Sequence, residues 1–242
     1  MKSFVAHGKL LLTGEYLVLH GAVALALPTK LGQTLTVAAT QEPSLQWSAY
    51  QPDGRWFSAT LDTESLDIIA TDDPLKASKL SQILTAVRDL NPQAFQPGLR
   101  FETHLDFNPE WGLGSSSTLI STLAQWAGVD PYQLLKKTFG GSGYDIACAQ
   151  SDTPIHYQLG PNGCQVRKVA FNPPFADRLF FVYQGHKQSS SAEVARFDHQ
   201  HSSDLLAELQ TISELSVALP TITYFDDFQT LLQVHEQILS RC

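Results

Sequence analysis

Pro109-Glu110-Trp111-Gly112-Leu113-Gly114-Ser115-Ser116-Ser117-Thr118, running straight into the apolar-periodic segment Leu119–Ala127, decides how this chain is read. Glycine at 112 and 114 lets the backbone approach an anion closely. The row of hydroxyls offers donors and a metal ligand, and the helix that follows turns its positive N-terminal end toward the same point. The stretch therefore reads as a phosphate cradle lined by Gly112, Leu113, Gly114, Ser115, Ser116, Ser117 and Thr118. The structural alternative is an ordinary capped turn, because serine is a favoured N-cap for reasons unrelated to ligands.

Working outward, two further segments shift the balance toward chemistry. His7-Gly8-Lys9-Leu10-Leu11-Leu12-Thr13-Gly14-Glu15-Tyr16 carries a lysine and a glutamate between glycines and leads to His20-Gly21. Gly140-Gly141-Ser142-Gly143-Tyr144-Asp145-Ile146-Ala147 places a single acid in a glycine-rich bend. In this order and spacing the segments resemble the GHMP kinases, the family of galactokinase, homoserine kinase, mevalonate kinase and phosphomevalonate kinase, and most resemble the mevalonate-kinase branch. The family's first motif, Pro-Gly-Lys-x-x-Leu-x-Gly-Glu-x-x-Val-x-x-Gly, is met by Gly8, Lys9, Leu12, Gly14, Glu15, Val18 and Gly21, with His7 in place of the proline. The second is met by Pro109, Gly112, Leu113, Gly114, Ser115 and Ser116, with Glu110 and Trp111 where the family prefers small residues. Ser142-Gly143-x-Asp145-x-Ala147 meets another.

The resemblance implies an α+β fold: an N-terminal domain like ribosomal protein S5 domain 2, residues 1–173, that binds ATP, then a ferredoxin-like domain from residue 174 to 242. That second domain is expected to be truncated, since the family's late glycine-rich loop has no counterpart after Gly185. It further implies transfer of the γ-phosphate of ATP to an alcohol, with a mevalonate-like acceptor favoured. Asp145 would act on the acceptor hydroxyl and Lys9 would neighbour both it and the phosphate. An ammonium beside a carboxylate keeps it ionised and stabilises alkoxide character in the acceptor. Ser116 would be the hydroxyl offered to magnesium. Glu15, His20, Ser142, Gly143 and Tyr144 would face substrate, and Lys187 would reach an anionic substrate from the second domain's first loop.

Each of these residues also has a purely structural reading: Lys9 solvated, Asp145 capping a helix that begins at Ile146, the serines capping another, His20 in a turn, Lys187 in a solvated loop. The segment Tyr132–Phe139 departs from the family, which carries a magnesium-binding glutamate there; it has no acid and carries Lys136 and Lys137 instead. Either Ser116 and the ATP oxygens hold the metal alone, which suits an ion that keeps several waters, or one of these lysines partly replaces it. The alternatives within and beyond the kinase reading are a diphosphomevalonate decarboxylase-like enzyme and a non-catalytic nucleotide- or metabolite-binding relative.

Composition narrows the partners. With 16 lysines and arginines against 24 aspartates and glutamates, the net charge of −8 disfavours a surface that tracks nucleic-acid phosphates, so any phosphate must be met locally. The three cysteines Cys148, Cys164 and Cys242 are odd in number, lack metal-site spacing, and suit a reducing cytoplasmic setting as free thiols. No signal-like leader and no uninterrupted apolar run of roughly 18 residues is present, which disfavours secretion and membrane spanning. An incomplete second domain would leave a sheet edge that invites a homodimer.

Periodicity and turn signals place the motifs. Strands are expected over Phe4–Leu12, Ala22–Leu27 and Thr34–Ala38, and a hairpin over Leu45–Leu61 turns at Pro52-Asp53-Gly54. Asp73-Pro74 opens a helix with a stripe at Leu80, Ile83, Leu84 and Val87 that stops near Asn91-Pro92. A strand at Leu99–Leu105, the cradle and its helix, and a short helix capped by Asp130-Pro131 follow. Beyond Asp145, strands are expected at Ile155–Leu159, Gln165–Phe171 and Leu179–Tyr183, with Asn172-Pro173-Pro174 as domain boundary. Ser190-Ser191-Ala192-Glu193 reads as a capping box, and helices at about Ser203–Val217 and Phe225–Ser240 meet near Pro220.

Overall fold

The computed structural model describes residues 1–161, 163–185 and 205–241. They form two compact units. The first gathers Met1–Gly8, Thr29–Pro109 and Leu113–Gln150; the second gathers Lys9–Pro28, Glu110–Gly112 and Ser151–Cys242. Strands β1 (Lys2–Thr13) and β2 (Ala24–Ala39) each contribute to both.

In the first unit the strands lie in the order β5 (Ile68–Thr71), β4 (Gly54–Leu61), β3 (Leu45–Gln51), β6 (Leu99–Leu105), β2, with β1 beside β2. Only β3 and β6 run parallel among the pairs given a register, with Trp47 opposite Phe101. Alternation explains the layer. Leu45, Trp47 and Ala49 of β3, Phe57, Ala59 and Leu61 of β4 and Leu35 and Val37 of β2 are buried in one cluster. Side chains of a strand alternate between faces, so these positions share one face of the sheet.

That face is covered by α1 (Pro74–Leu90), α2 (Ser115–Ala127), α3 (Pro131–Thr138) and α4 (Tyr144–Ala149). Trp126 of α2 sets its ring edge against Phe101, centroids 4.7 Å apart, while Phe101 stacks on Trp47 at 5.4 Å. Such pairs contribute about 0.5–1.5 kcal/mol each beyond area burial. The expected caps form: Asp73 accepts from the amides of Leu75 and Lys76, and Asp130 from those of Tyr132 and Gln133.

The second unit contains the hairpin β7 (Ile155–Gly160) and β8 (Gly163–Lys168), with β7 paired to the start of β2 through Ala24–Tyr157 and Ala26–Ile155. It also contains helices α5 (Leu206–Ala218) and α6 (Phe225–Leu239), joined through a 3-10 turn at Leu219–Thr221. Its core is Leu25, Phe175, Leu215, Leu219 and Phe228, with a smaller cluster of Leu17, Ala22 and Ile212.

The fold departs from the sequence reading at several places. The runs expected as separate strands at Ala22–Leu27 and Thr34–Ala38 are one strand, β2. Pro28 lies between the end of the β7 ladder at Ala26 and the start of the β6 ladder at Gln33, so neither of those two ladders calls on its missing N–H. Leu179–Tyr183 forms no strand. Phe180 is 81% and Val182 76% exposed, and no described segment pairs with them to supply the ladder that a strand requires. The described elements of residues 174–242 are helices and 3-10 turns. Strand β5 and the 3-10 turn Leu17–His20 were not signalled by periodicity, being too short to show it. The capping box at 190–193 and Lys187 lie outside the described residues. No described helix is long and apolar enough to cross a membrane.

Candidate phosphate-binding site

The cradle begins where β6 ends. Asp106 accepts from the Gly32 amide at 3.0 Å through Oδ2 and donates its own amide to the Gly32 carbonyl at 2.9 Å, which fixes the departure of the chain from the sheet. A 3-10 turn at Pro109–Trp111 follows, then Gly112 at φ 74° and Gly114 at φ 89°, ψ 42°. Both are left-handed conformations that glycine adopts without the Cβ clash of other residues.

Gly114, not a serine, is the N-cap of α2, and it makes no side-chain cap bond. This corrects the capping reading of the serines. Ser117 is buried and its hydroxyl donates to the Gly114 carbonyl at 2.8 Å. Thr118 is fully buried, its hydroxyl lying 2.7 Å from Gln33 Oε1 and 3.0 Å from the Ser115 carbonyl, and its amide donates to Gly114. The amides of Ser115, Ser116 and Ser117 belong to the first helical turn, which has no intrahelical acceptors. With Ser115 half-buried and Ser116 exposed, those amides and two hydroxyls are what the helix end presents. A partly charged helix terminus with open amides is a chemistry suited to an anion such as phosphate.

Gly8 joins the first motif to the second. A Cβ built there would lie 2.5 Å from Thr29 Oγ1 and 3.0 Å from the carbonyls of Leu31 and Leu113. Only a glycine admits Leu113, the residue between the cradle glycines, so close to β1. Gln33, buried on β2, ties the same helix start to the sheet through Thr118.

The acid loop follows α3. Gly143, at φ 85°, is the N-cap of α4, and Asp145 sits inside its first turn, half-buried, with Oδ1 accepting from the Ile146 amide at 3.0 Å. The expectation that Asp145 itself caps the helix is therefore corrected: the helix starts two residues earlier than expected, at Tyr144 rather than Ile146. Ser142 is half-buried, as is Tyr144, while Gly143 is buried. α4 packs on α2, sharing Ile146 with Ile120, Leu123 and Ala124 in one core, so one unit carries both Leu113–Thr118 of the cradle and the acid. Lys137 reaches Asp89 of α1 at 3.6 Å, both side chains about half exposed, and Lys136 is exposed. Lys137 thus has a partner on α1, which weighs against its standing in for a metal ion.

The second unit holds Lys9, half-buried on β1, with Glu15 and His20 exposed on the turn that follows. Tyr16 takes φ 61°, ψ −49°, a conformation costing about 1–3 kcal/mol for a residue other than glycine. Local bonds hold it: the Leu17 amide to the Glu15 carbonyl at 2.7 Å and the Val18 amide to the Gly14 carbonyl at 2.9 Å. So do bonds from the last two helices. His235 Nε2 accepts from the Gly14 amide at 3.0 Å, and Ser213 Oγ from the Val23 amide at 2.9 Å. Thr13 and Ser216 hydroxyls meet at 2.7 Å; since Ser216 gives its proton to the Ile212 carbonyl, Thr13 is the donor. Sequence reading missed His235, Ser213, Ser216 and Gln33, because nothing local distinguishes a buried bonding serine or histidine from a solvated one. His156 donates from Nε2 to the Ser216 carbonyl at 2.9 Å. Burial chiefly, with the charge of Arg167, holds its imidazole below the ordinary histidine value, and the Ser216 bond opposes that.

Among the described residues no group of three or more histidine, cysteine or acidic side chains could hold a metal ion. Cys148 is buried and Cys164 partly so, and neither is in a disulfide.

Comparison with known proteins places this geometry in a fold. No protein-family model matches the sequence. No curated protein matches it either. The architecture is nevertheless shared with solved GHMP kinases. The mevalonate kinase of L. major, in complex with R-mevalonate, matches with a TM-score of 0.68 at 15% identity, covering 100% of this chain and 76% of that one. The phosphomevalonate kinase of Streptococcus pneumoniae, in complex with phosphomevalonate and AMPPNP, matches at 0.70 and 15%, covering 99% and 80%. The galactokinase of Lactococcus lactis, complexed with galactose, matches at 0.61 and 13%, covering 99% and 74%. At these identities the likeness is one of fold, a mixed α/β architecture with a mostly antiparallel sheet.

Proposed function

We propose that this chain is an ATP-dependent small-molecule kinase of the GHMP type, transferring the γ-phosphate of ATP to an alcohol, with a mevalonate-like acceptor favoured. The observation that carries the reading is the start of α2: a left-handed glycine cap, open amides at Ser115–Ser117, and a glycine at position 8 that lets Leu113 approach. The fold shared with sugar, mevalonate and phosphomevalonate kinases supports it, as does the acid on the helix packed against α2.

In this reading the amides and the Ser115 and Ser116 hydroxyls hold the nucleotide phosphates. Asp145 accepts the proton of the acceptor hydroxyl as its oxygen attacks the γ-phosphorus and ADP leaves. Lys9 supplies positive charge, and phosphoryl transfer asks mainly for such positioning and charge compensation. Glu15, His20, Ser142, Gly143 and Tyr144 line the acceptor side. Magnesium fits as an ion carried in on the nucleotide: it takes oxygen ligands, keeps several waters, and finds in the exposed Ser116 hydroxyl a hard oxygen donor. When bound it would neutralise phosphate charge.

The test is calorimetric titration with ATP·Mg, followed on the same sample by ADP release with and without mevalonate. Binding with acceptor-dependent release is expected; absence of binding overturns the reading. Asp145→Asn should abolish turnover while ATP affinity stays within a few fold. Loss of ATP binding in that variant would assign Asp145 a structural part.

A further inference from the structure

We propose that His235 is a positioning residue for the substrate-side turn of the first motif, acting through the backbone amide of Gly14. The inference rests on the kinase reading above for the meaning of that turn, and on geometry for the rest.

His235 lies on α6, 221 residues from Gly14, and is 3% exposed. Its Nε2 is the acceptor of the Gly14 N–H at 3.0 Å. An acceptor nitrogen carries no proton, so the ring is the tautomer protonated at Nδ1, and Nδ1 faces the Glu236 carboxylate at 3.3 Å as donor. Both ring nitrogens are engaged, and the histidine is specified in orientation as well as in tautomer.

What it holds is a turn that local preference does not favour. Tyr16 is one of two described residues other than glycine with positive φ, and Glu15 precedes it at the exposed tip. Such backbone persists only where surrounding structure over-determines it. Here the surroundings are α5 and α6. Ser216 receives Thr13, Ser213 receives Val23, and His235 receives Gly14, so bonds bracket the turn on both sides. Of the three bracketing bonds, the one to His235 is made by the residue next to Glu15 in sequence, Gly14. The role differs from ordinary packing, since an apolar side chain of similar size would fill the space and leave the Gly14 N–H buried without an acceptor.

The test compares the full-length chain with His235→Leu, His235→Asn and His235→Gln. Leucine removes the acceptor, asparagine stops short of Gly14, and glutamine offers Oε1 at about the reach of Nε2. Amide hydrogen exchange over Thr13–Val18, read with thermal unfolding on each sample, should rise on the order of tenfold in the asparagine and leucine variants, the loss expected for one buried hydrogen bond. Glutamine should restore it. Where wild type turns over, the same two variants should raise KM for the acceptor more than they lower kcat, and glutamine should rescue KM. Unchanged exchange in both variants, or no rescue by glutamine, overturns the positioning role. Raised exchange with unaltered KM overturns its link to substrate. A wild-type chain that neither binds ATP nor releases ADP refutes the kinase reading, and the exchange arms still decide whether His235 sets the turn.

Discussion

Replacing Gly8 by alanine tests whether the first and second motifs are joined as the structure has them. The new Cβ would lie 2.5 Å from Thr29 Oγ1 and 3.0 Å from the Leu31 and Leu113 carbonyls, where ordinary contact starts at 3.4 Å. The shortfall is 3.4 − 2.5 = 0.9 Å at the hydroxyl and 3.4 − 3.0 = 0.4 Å at each carbonyl. The hydroxyl cannot simply swing aside, because it donates to the Leu31 carbonyl at 2.6 Å. Overpacking of this kind costs about 1–3 kcal/mol. The carbonyl of Leu113 must also recede, taking Gly114 and the open amides with it. ATP affinity should then fall about tenfold, roughly the weight of one hydrogen bond to a charged group. Urea unfolding and calorimetric titration with ATP·Mg measure the two effects separately. Thr29→Ala removes the worst contact, so in that background Gly8→Ala should cost less by about 1 kcal/mol. A Gly8→Ala chain within about 0.5 kcal/mol of wild type, with unaltered ATP affinity and no relief from Thr29→Ala, would refute the argument.

Two further outcomes follow from the second unit. Phe228 is buried between Phe171 and Phe175, with ring centroids at 6.3 and 5.1 Å. Phe228→Ala should cost about 3–5 kcal/mol by urea unfolding, and a loss under about 1 kcal/mol would show that this core is not packed as described. His156 resists protonation in the folded state, whereas the unfolded chain takes up the proton below about pH 6.5. Stability should therefore fall as pH drops below that value and level off at the folded pKa. His156→Gln, which can still donate to Ser216, should flatten this limb relative to wild type; an identical pH dependence would remove His156 as its source.

Most strands and helices were legible because their signals are local. Alternation in β3 and β4, the Pro52-Asp53-Gly54 turn, and the Asp73-Pro74 and Asp130-Pro131 caps each act within a few residues, and the structure forms them. The motif residues were legible as types in order. Their arrangement was not. Gly114 rather than a serine caps α2, and that Thr118 turns inward to Gln33 depends on β2 lying beside the helix start. Leu179–Tyr183 had the composition of a strand and did not become one, since a strand exists only with a partner and no described segment supplies it. Likewise the two runs in β2 form one strand whose partner changes from β7, up to Ala26, to β6, from Gln33, with β1 beside it.

By itself the sequence determined most of the elements, the Asp73 and Asp130 caps, the Pro52-Asp53-Gly54 turn, and the glycine and hydroxyl positions around a helix start, all properties of short-range dihedral preference and side-chain period. Tertiary structure decided which groups at that helix start stay open, placed Leu113 against Gly8, and set His235 on the amide of Gly14. Those contacts join residues roughly a hundred to two hundred positions apart, and no local preference encodes them, because each exists only when burial removes water as the competing partner.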